Sequence, residues 1–101
     1  MKIYIAMPIS GLDYVEVTRK ADLVEKFLAD KGLEVYNPLK ICPFVEGKTW
    51  DEYMDELLPK VSECDAIYMM NDWRNSRGAR KELRKAMFEE KLIIFENNQP
   101  I

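Results

Sequence analysis

The chain has 101 residues, a formal net charge of −3, 48% hydrophobic and 33% charged residues. That length supports one domain, residues 1–101, around one core, and the apolar content is too high for a disordered chain. The acidic balance argues against duplex nucleic acid as a partner, and the lack of histidine removes Ser-His-Asp and Cys-His catalysis and most zinc sites.

Met1-Lys2 leads directly into KIYIAM, Lys2 to Met7, a β-branched run that reads as a central first strand. This leaves no room for a signal peptide, so a cytoplasmic location is expected. Pro8 ends the strand, and the loop Pro8-Ile9-Ser10-Gly11 follows, with Gly11 free to take positive φ. A helix is expected from about Asp13 to Lys31, because Tyr14, Val17, Ala21, Val24 and Leu28 recur at three and four. Gly32 is its stop. Leu33 to Tyr36 reads as a second strand, closed by Asn37-Pro38.

Lys40 to Lys48 contains Pro43 and Gly47 and reads as loop. Thr49 is a good N-cap for a helix presenting Trp50, Tyr53, Met54, Leu57, Leu58 and Val61, of which Trp50, Tyr53, Leu57 and Val61 read as core or dimer surface. Pro59 should kink or shorten that helix. Cys42 and Cys64 lack metal-ligand spacing and read as free thiols, and no metal or organic cofactor is expected. No apolar run approaches the roughly 20 residues of a membrane span.

The stretch from Cys64 to Ala86 organises the rest. Ala66 to Met70 is a buried third strand, Asn71 to Ser76 a polar turn, and about Arg77 to Glu90 a helix with apolar residues at Ala79, Leu83, Ala86 and Met87. Leu92 to Phe95 is a fourth strand, and Asn97 to Ile101 a tail. This alternation predicts a three-layer α/β fold of the Rossmann or flavodoxin-like kind. Its parallel sheet has about four strands in the order 2-1-3-4, with helices on both faces. The switch point then lies between strands 1 and 3, bringing Ala6 to Gly11 beside Asn71 to Glu82. Tyr68, Trp73 and Trp50 are placed to offer flat surfaces for a ring. Ser76 and Gly78 can face an anion at the positive end of the helix, and the same dipole should keep Glu82 ionised. The plain alternative for Glu82 is an exposed carboxylate paired with Lys85 or Arg77. Asp65 reads as structural, and the cluster Arg74, Arg77, Arg80, Lys81, Arg84 and Lys85 as a solvated helix face, with Arg74 or Arg77 able to steer or bind a phosphate.

Several segments together resemble the nucleoside 2-deoxyribosyltransferase-like superfamily, in particular its small, often phage-borne branch. They are IAMPISG after strand 1, VYNP after strand 2, WDEYM, CDAIYMMNDW, and the Ser-x-Gly-x-x-x-Glu-x-x-x-Ala pattern at Ser76, Gly78, Glu82 and Ala86. The similarity runs from about Lys2 to Phe95. It implies cleavage or exchange at the N-glycosidic bond of a 2-deoxyribonucleoside or its 5′-monophosphate, a small-molecule partner. It implies that Glu82 is the nucleophile and that Ser76 contacts the sugar 5′ group. Serine at that position, rather than aspartate, favours a 5′-phosphate. Asn37-Pro38 becomes a candidate wall of the site, and a homodimer or larger homo-oligomer is implied, one subunit completing its neighbour's pocket. The family's Ala-Gly-Pro loop reads Ala6-Met7-Pro8 here, so the Met7 side chain must turn away from a ligand or narrow the pocket.

The chemistry such a site needs is an anion beneath C1′ to stabilise or trap an oxocarbenium-like centre, and a proton for the departing base. Glu82 is expected to supply the first and Asp72 the second, with Asp51 and Asp55 as weaker candidates. Ala6, Met7, Pro8, Ile9, Ser10, Gly11, Trp73, Ser76 and Gly78 are expected to bind substrate. Two rivals belong to other classes: a nucleotide-binding protein without catalysis, and a purely structural oligomerising domain whose crevice is filled by its own side chains.

Overall fold

The computed structural model describes residues 1–96, so the expected tail lies outside the described residues. Four strands, β1 (Lys2–Ala6), β2 (Glu34–Tyr36), β3 (Ala66–Met69) and β4 (Leu92–Phe95), form one parallel sheet in the order β2-β1-β3-β4. The helices are α1 (Tyr14–Ala29), α2 (Pro38–Ile41), α3 (Trp50–Glu63) and α4 (Arg77–Phe88), with a 3₁₀ turn at Trp73–Asn75. The expected strand order holds. Among the described residues, no helix is long and apolar enough to cross a membrane.

Side-chain alternation along β1 divides the core between the two faces of the sheet. Ile3, Ile5 and Met7 join Val17, Ala21, Val24 and Leu28 of α1 on one face. Tyr4 and Ala6 join Leu57 and Val61 of α3 and Ala79, Leu83 and Ala86 of α4 on the other. β1 and β3 are buried on both faces, which is why they read as continuous apolar runs. Tyr4 is fully buried. A phenol in that position must find a hydrogen-bond partner.

Two elements differ from the sequence expectation. Asn37-Pro38 does not merely end a strand: it starts α2. The Asn37 side chain accepts the Leu39 amide at 2.9 Å, and Pro38 brings a φ already suited to the first helical position. Pro59 does not end α3, which runs on to Glu63. Pro59 and Asp55, whose carbonyl loses its amide partner, both lie on the exposed side, where water can take that bond. Elsewhere the differences are small. Asp13 caps α1 and Ser76 caps α4, while α4 ends at Phe88, before Glu90 takes a positive φ of 59°.

The segment between α2 and α3 is pinned at several points. The Tyr53 hydroxyl accepts the Val45 amide at 2.9 Å and donates to the Val45 carbonyl at 3.2 Å. The Phe44 amide donates to the Tyr14 hydroxyl at 3.3 Å, and the two rings lie 5.9 Å apart. Lys48 pairs with Glu56 and donates to the Cys42 sulfur at 3.2 Å. These bonds hold the segment against α3 and α1.

Thr49 closes a capping box, its hydroxyl accepting the Glu52 amide at 3.2 Å while the Glu52 carboxylate accepts the Thr49 amide at 3.2 Å. Thr49→Ala should lower unfolding free energy by about 1 kcal/mol, and Thr49→Ser should leave it within a few tenths. Urea denaturation reads both. An alanine variant as stable as wild type would mean the box is not formed in solution.

Candidate active site

A cavity of about 660 Å³ opens at the carboxyl ends of β1 and β3. One side is the loop from Met7 to Leu12, and the facing side is the start of α4 with Asn75 just before it. α3 contributes Trp50, Tyr53, Met54 and Leu57, and Pro38, Leu39, Cys42 and Phe44 close the remaining wall. This is the crevice expected at the switch point. It is open space, unlike the self-filled crevice of a purely structural domain.

Glu82 stands in the wall of this cavity and is 4% exposed. It lies on the buried stripe of α4 with Ala79, Leu83 and Ala86. Its carboxylate accepts a hydrogen bond from the Tyr4 hydroxyl, made across the α4–β1 contact. Burial pushes its pKa up to about 8, against which the Tyr4 hydroxyl pulls downward. Glu82 is thus largely protonated at neutral pH, not kept ionised by the helix dipole as the sequence suggested. It is the sixth residue of α4, beyond the first turn where the dipole acts strongly. The exposed, ion-paired alternative is also absent: Lys85 pairs with Glu89 at 3.0 Å, and the Arg77 guanidinium lies 3.7 Å over Trp50.

Helical side chains lean toward the helix N-terminus, so Glu82 inclines toward Gly78, one turn earlier on the same face. A β-carbon at Gly78 would lie 3.4 Å from the Met54 sulfur and 3.6 Å from the Trp50 ring nitrogen, ordinary contact distances. Packing of α3 on α4 therefore does not demand a glycine. Gly78 itself lines the cavity. The Ser76 hydroxyl oxygen accepts the Ala79 amide at 3.1 Å, which leaves its proton free to donate. The Arg77 and Gly78 amides head the helix without intrahelical acceptors.

Of the residues expected to bind substrate, Met7, Pro8, Ile9, Ser10, Gly11, Ser76 and Gly78 line the cavity, as does Glu82. Met7 is 4% exposed and packs into the α1 side of the core, so it floors the cavity without filling it. Gly11 has a φ of 78°, the turn anticipated for it. Ala6, Asp72 and Trp73 are not among the lining residues. Ala6 ends β1 inside the α3–α4 core. Asp72 is exposed with a φ of 68°, because the chain reverses there into the 3₁₀ turn and directs it outward. Trp73 packs instead near Phe95, with ring centroids 5.8 Å apart. Tyr68 also lies outside the lining, and Asp65 accepts the Lys2 amide at 2.8 Å, a structural role.

The sequence reading missed Tyr4, Tyr14 and Phe44 as parts of the site, and placed Tyr53 and Leu57 in the core or a dimer surface. For Tyr4 a signal existed: a hydroxyl on a strand buried on both faces requires an acceptor. The roles of Tyr14 and Phe44 depend on how the segment after α2 folds back, which no periodicity reports.

The family described as a domain of unknown function (DUF4406) matches residues 1–95. The chain belongs to the DUF4406 family. No curated protein sequence matches it. Among solved structures it is similar to a 2-deoxyribosyltransferase from Bacillus psychrosaccharolyticus, with a TM-score of 0.73 and 20% identity over 100% of this chain and 77% of the other. It is also similar to BcmB, a CMP N-glycosidase from Clostridium botulinum, with a TM-score of 0.65 and 22% identity over 97% and 72% of the two chains. The fold of this DUF4406 protein is therefore nucleoside 2-deoxyribosyltransferase-like.

Other reactive groups near the DUF4406 cavity are held quiet. Cys42 is 5% exposed and donates its thiol proton to Glu56 at 2.6 Å. Burial and that carboxylate push the thiol pKa up, although Lys48 opposes them, so Cys42 is no thiolate nucleophile. Among the described residues no group of three or more His, Cys, Asp or Glu is placed to hold a metal.

Glu82 also makes stability depend on pH. The unfolded chain releases this proton from about pH 4.5 upward, whereas the folded chain keeps it until about 8. Stability is fully held below the lower value and is lost as pH rises through the upper one, at about 1.4 kcal/mol per unit, roughly 4–5 kcal/mol in all. Glu82→Gln keeps the shape and can still accept from Tyr4, but it cannot ionise. Its stability relative to wild type should climb between pH 5 and 8 and level off above, as read by urea denaturation across pH. A difference that stays constant with pH would show the carboxyl is not buried in solution.

Proposed function

We propose that this DUF4406 protein cleaves the N-glycosidic bond of a 2-deoxyribonucleoside or its 5′-monophosphate, or exchanges the base across it, with Glu82 as nucleophile. One observation carries the reading: a buried carboxylate, oriented by a buried tyrosine hydroxyl, in the wall of a cavity roomy enough for a nucleotide. Attack at C1′ places a carboxylate oxygen on the sugar as the bond to the base breaks, and water or a second base then releases the sugar. The Tyr4 hydroxyl fixes which oxygen faces the sugar and helps the carboxylate ionise. The names of the two structural neighbours, a deoxyribosyl transferase and a nucleotide N-glycosidase, support the same class of reaction. A 5′-phosphate is favoured by the free Ser76 proton and the first amides of α4, with Arg77 beside them.

Nucleosides and 5′-nucleotides incubated with the protein should release free base, detected by chromatography. Glu82→Gln should reduce release by at least about 10³-fold while remaining folded. No release across the panel, or full activity in Glu82→Gln, would reject the mechanism. Because only the ionised carboxylate attacks, kcat/KM should rise with pH and inflect near 8. Tyr4→Phe removes a hydrogen bond that lowers the Glu82 pKa, so its inflection should move to higher pH. An unmoved inflection would separate Tyr4 from the chemistry.

One observation favours binding without catalysis: Glu82 is mostly protonated at neutral pH, and no other carboxylate among the described residues lines the cavity. That reading predicts a nucleotide-induced rise in melting temperature with no base released over hours.

A further inference from the structure

Among the described residues, Glu82 is the one carboxylate lining the cavity. Asp72 is exposed at the 3₁₀ turn, and Asp51 and Asp55 are exposed on α3 outside the lining. A neutral purine or pyrimidine departs as an anion unless an acid protonates a ring nitrogen, so the expected second carboxyl is lacking where such a base would need it. Of the lining phenols, Tyr53 already donates to the Val45 carbonyl, and the Tyr14 oxygen accepts the Phe44 amide on the wall opposite α4. Glu82 cannot serve both as the anion beneath C1′ and as the acid above the base. A base that is already positively charged needs no acid.

The walls suit that charge. Trp50, Tyr53, Tyr14 and Phe44 bring aromatic rings to the cavity. Two of these rings already attract cations of the protein itself. The flat Arg77 guanidinium lies 3.7 Å from the Trp50 centroid, and the Lys48 ammonium lies 4.7 Å from that of Tyr53. Aromatic faces in a partly desolvated site hold a delocalised cation best. A positive ring beside Glu82 also favours the ionised carboxylate over the protonated one.

We propose, resting on the N-glycosidic reading above, that the preferred substrates are nucleosides or 5′-nucleotides with a cationic base, such as an N-ribosylpyridinium or an N7-alkylated purine. The Glu82 carboxylate forms a bond to C1′ as the C1′–N bond breaks. The electron pair of that bond passes to the ring nitrogen and neutralises the base, which leaves without a proton. Water then attacks C1′, the ester bond to Glu82 breaks, and the carboxylate is restored, with one proton passing to solvent. Water is the only co-reactant.

The test compares GMP with N7-methyl-GMP, in ribose and 2′-deoxyribose forms, which differ by one methyl group at N7 and the positive charge it puts on the base. Release of the base is expressed as acceleration over the spontaneous loss of each compound, with Glu82→Gln protein as blank. The methylated member should show at least about 100-fold greater acceleration, and Glu82→Gln should abolish it. Comparable acceleration of both, or faster release from GMP, overturns the inference but leaves the N-glycosidic reading standing. Loss of the GMP reaction in Tyr14→Phe would then name the hydroxyl that supplies the proton. No release from either compound, from nicotinamide mononucleotide or from the wider nucleotide panel overturns both.

Discussion

The hydrogen bond from Tyr4 to Glu82 is the constraint on which the rest of the site depends. It joins the central strand β1 to α4 through the middle of an apolar core, where an isolated carboxylate would be strongly disfavoured. Burial favours the neutral form, and the tyrosine hydroxyl partly compensates the charged one. The pair therefore stays close to the boundary between acid and anion near neutral pH. A purely structural contact could have been made from two apolar side chains without the pH sensitivity. Groups shifted this far by burial, inside a cleft, are what functional sites tend to hold.

The α4 sequence positions this carboxylate through small residues as much as through large ones. Ala79 and Ala86 let the helix approach the sheet closely, and Gly78 brings the start of α4 up to Met54 and Trp50 of α3. Ser76 caps the helix and keeps its proton for something outside it. The opposite wall is made differently. There Tyr14, Phe44, Val45 and Tyr53 tie an irregular segment in place through side chain–backbone bonds. One wall is thus set by a regular helix and the other by a segment with less regular support. The second is the part expected to open locally with less free energy.

The fold was legible because each element announces itself locally. Alternating runs bounded by Pro8, Asn37 and Gly32 mark the strands and stops, Thr49 and Ser76 are good caps, and the βα alternation leaves few parallel topologies. What escaped was short or depended on solvent. The four residues of α2 are too few for any period to show, and Pro59 is tolerated because its face of α3 is wet. The site was legible in its loop and its helix start, where residues adjacent in sequence stay adjacent in space. Asp72 was misplaced because its positive φ, which no sequence pattern reports, turns the side chain outward within a turn that was itself correctly placed. The burial of Glu82 could have been inferred from its place on the stripe with Ala79, Leu83 and Ala86. The dipole argument outweighed that pattern and led to the wrong charge state.

The misplaced aspartate and the misjudged charge state have a common consequence for the chemistry. With Asp72 in solvent, Glu82 is the one acidic group among the described residues lining the cavity, and with its pKa raised to about 8 that wall carries little charge before a ligand arrives. The fixed charge nearby is then positive, from Arg77 at the head of α4. An anionic phosphate is attracted first, to the end where Ser76 and the free amides lie. Once a ligand excludes water, the state of Glu82 is decided by what sits against it. A neutral ring leaves the proton in place, whereas a positive one, or positive charge developing at C1′, favours its release. Ionisation of the nucleophile is thereby coupled to the ligand, so the folded protein carries the full penalty of a buried anion only when a cation is there to offset it.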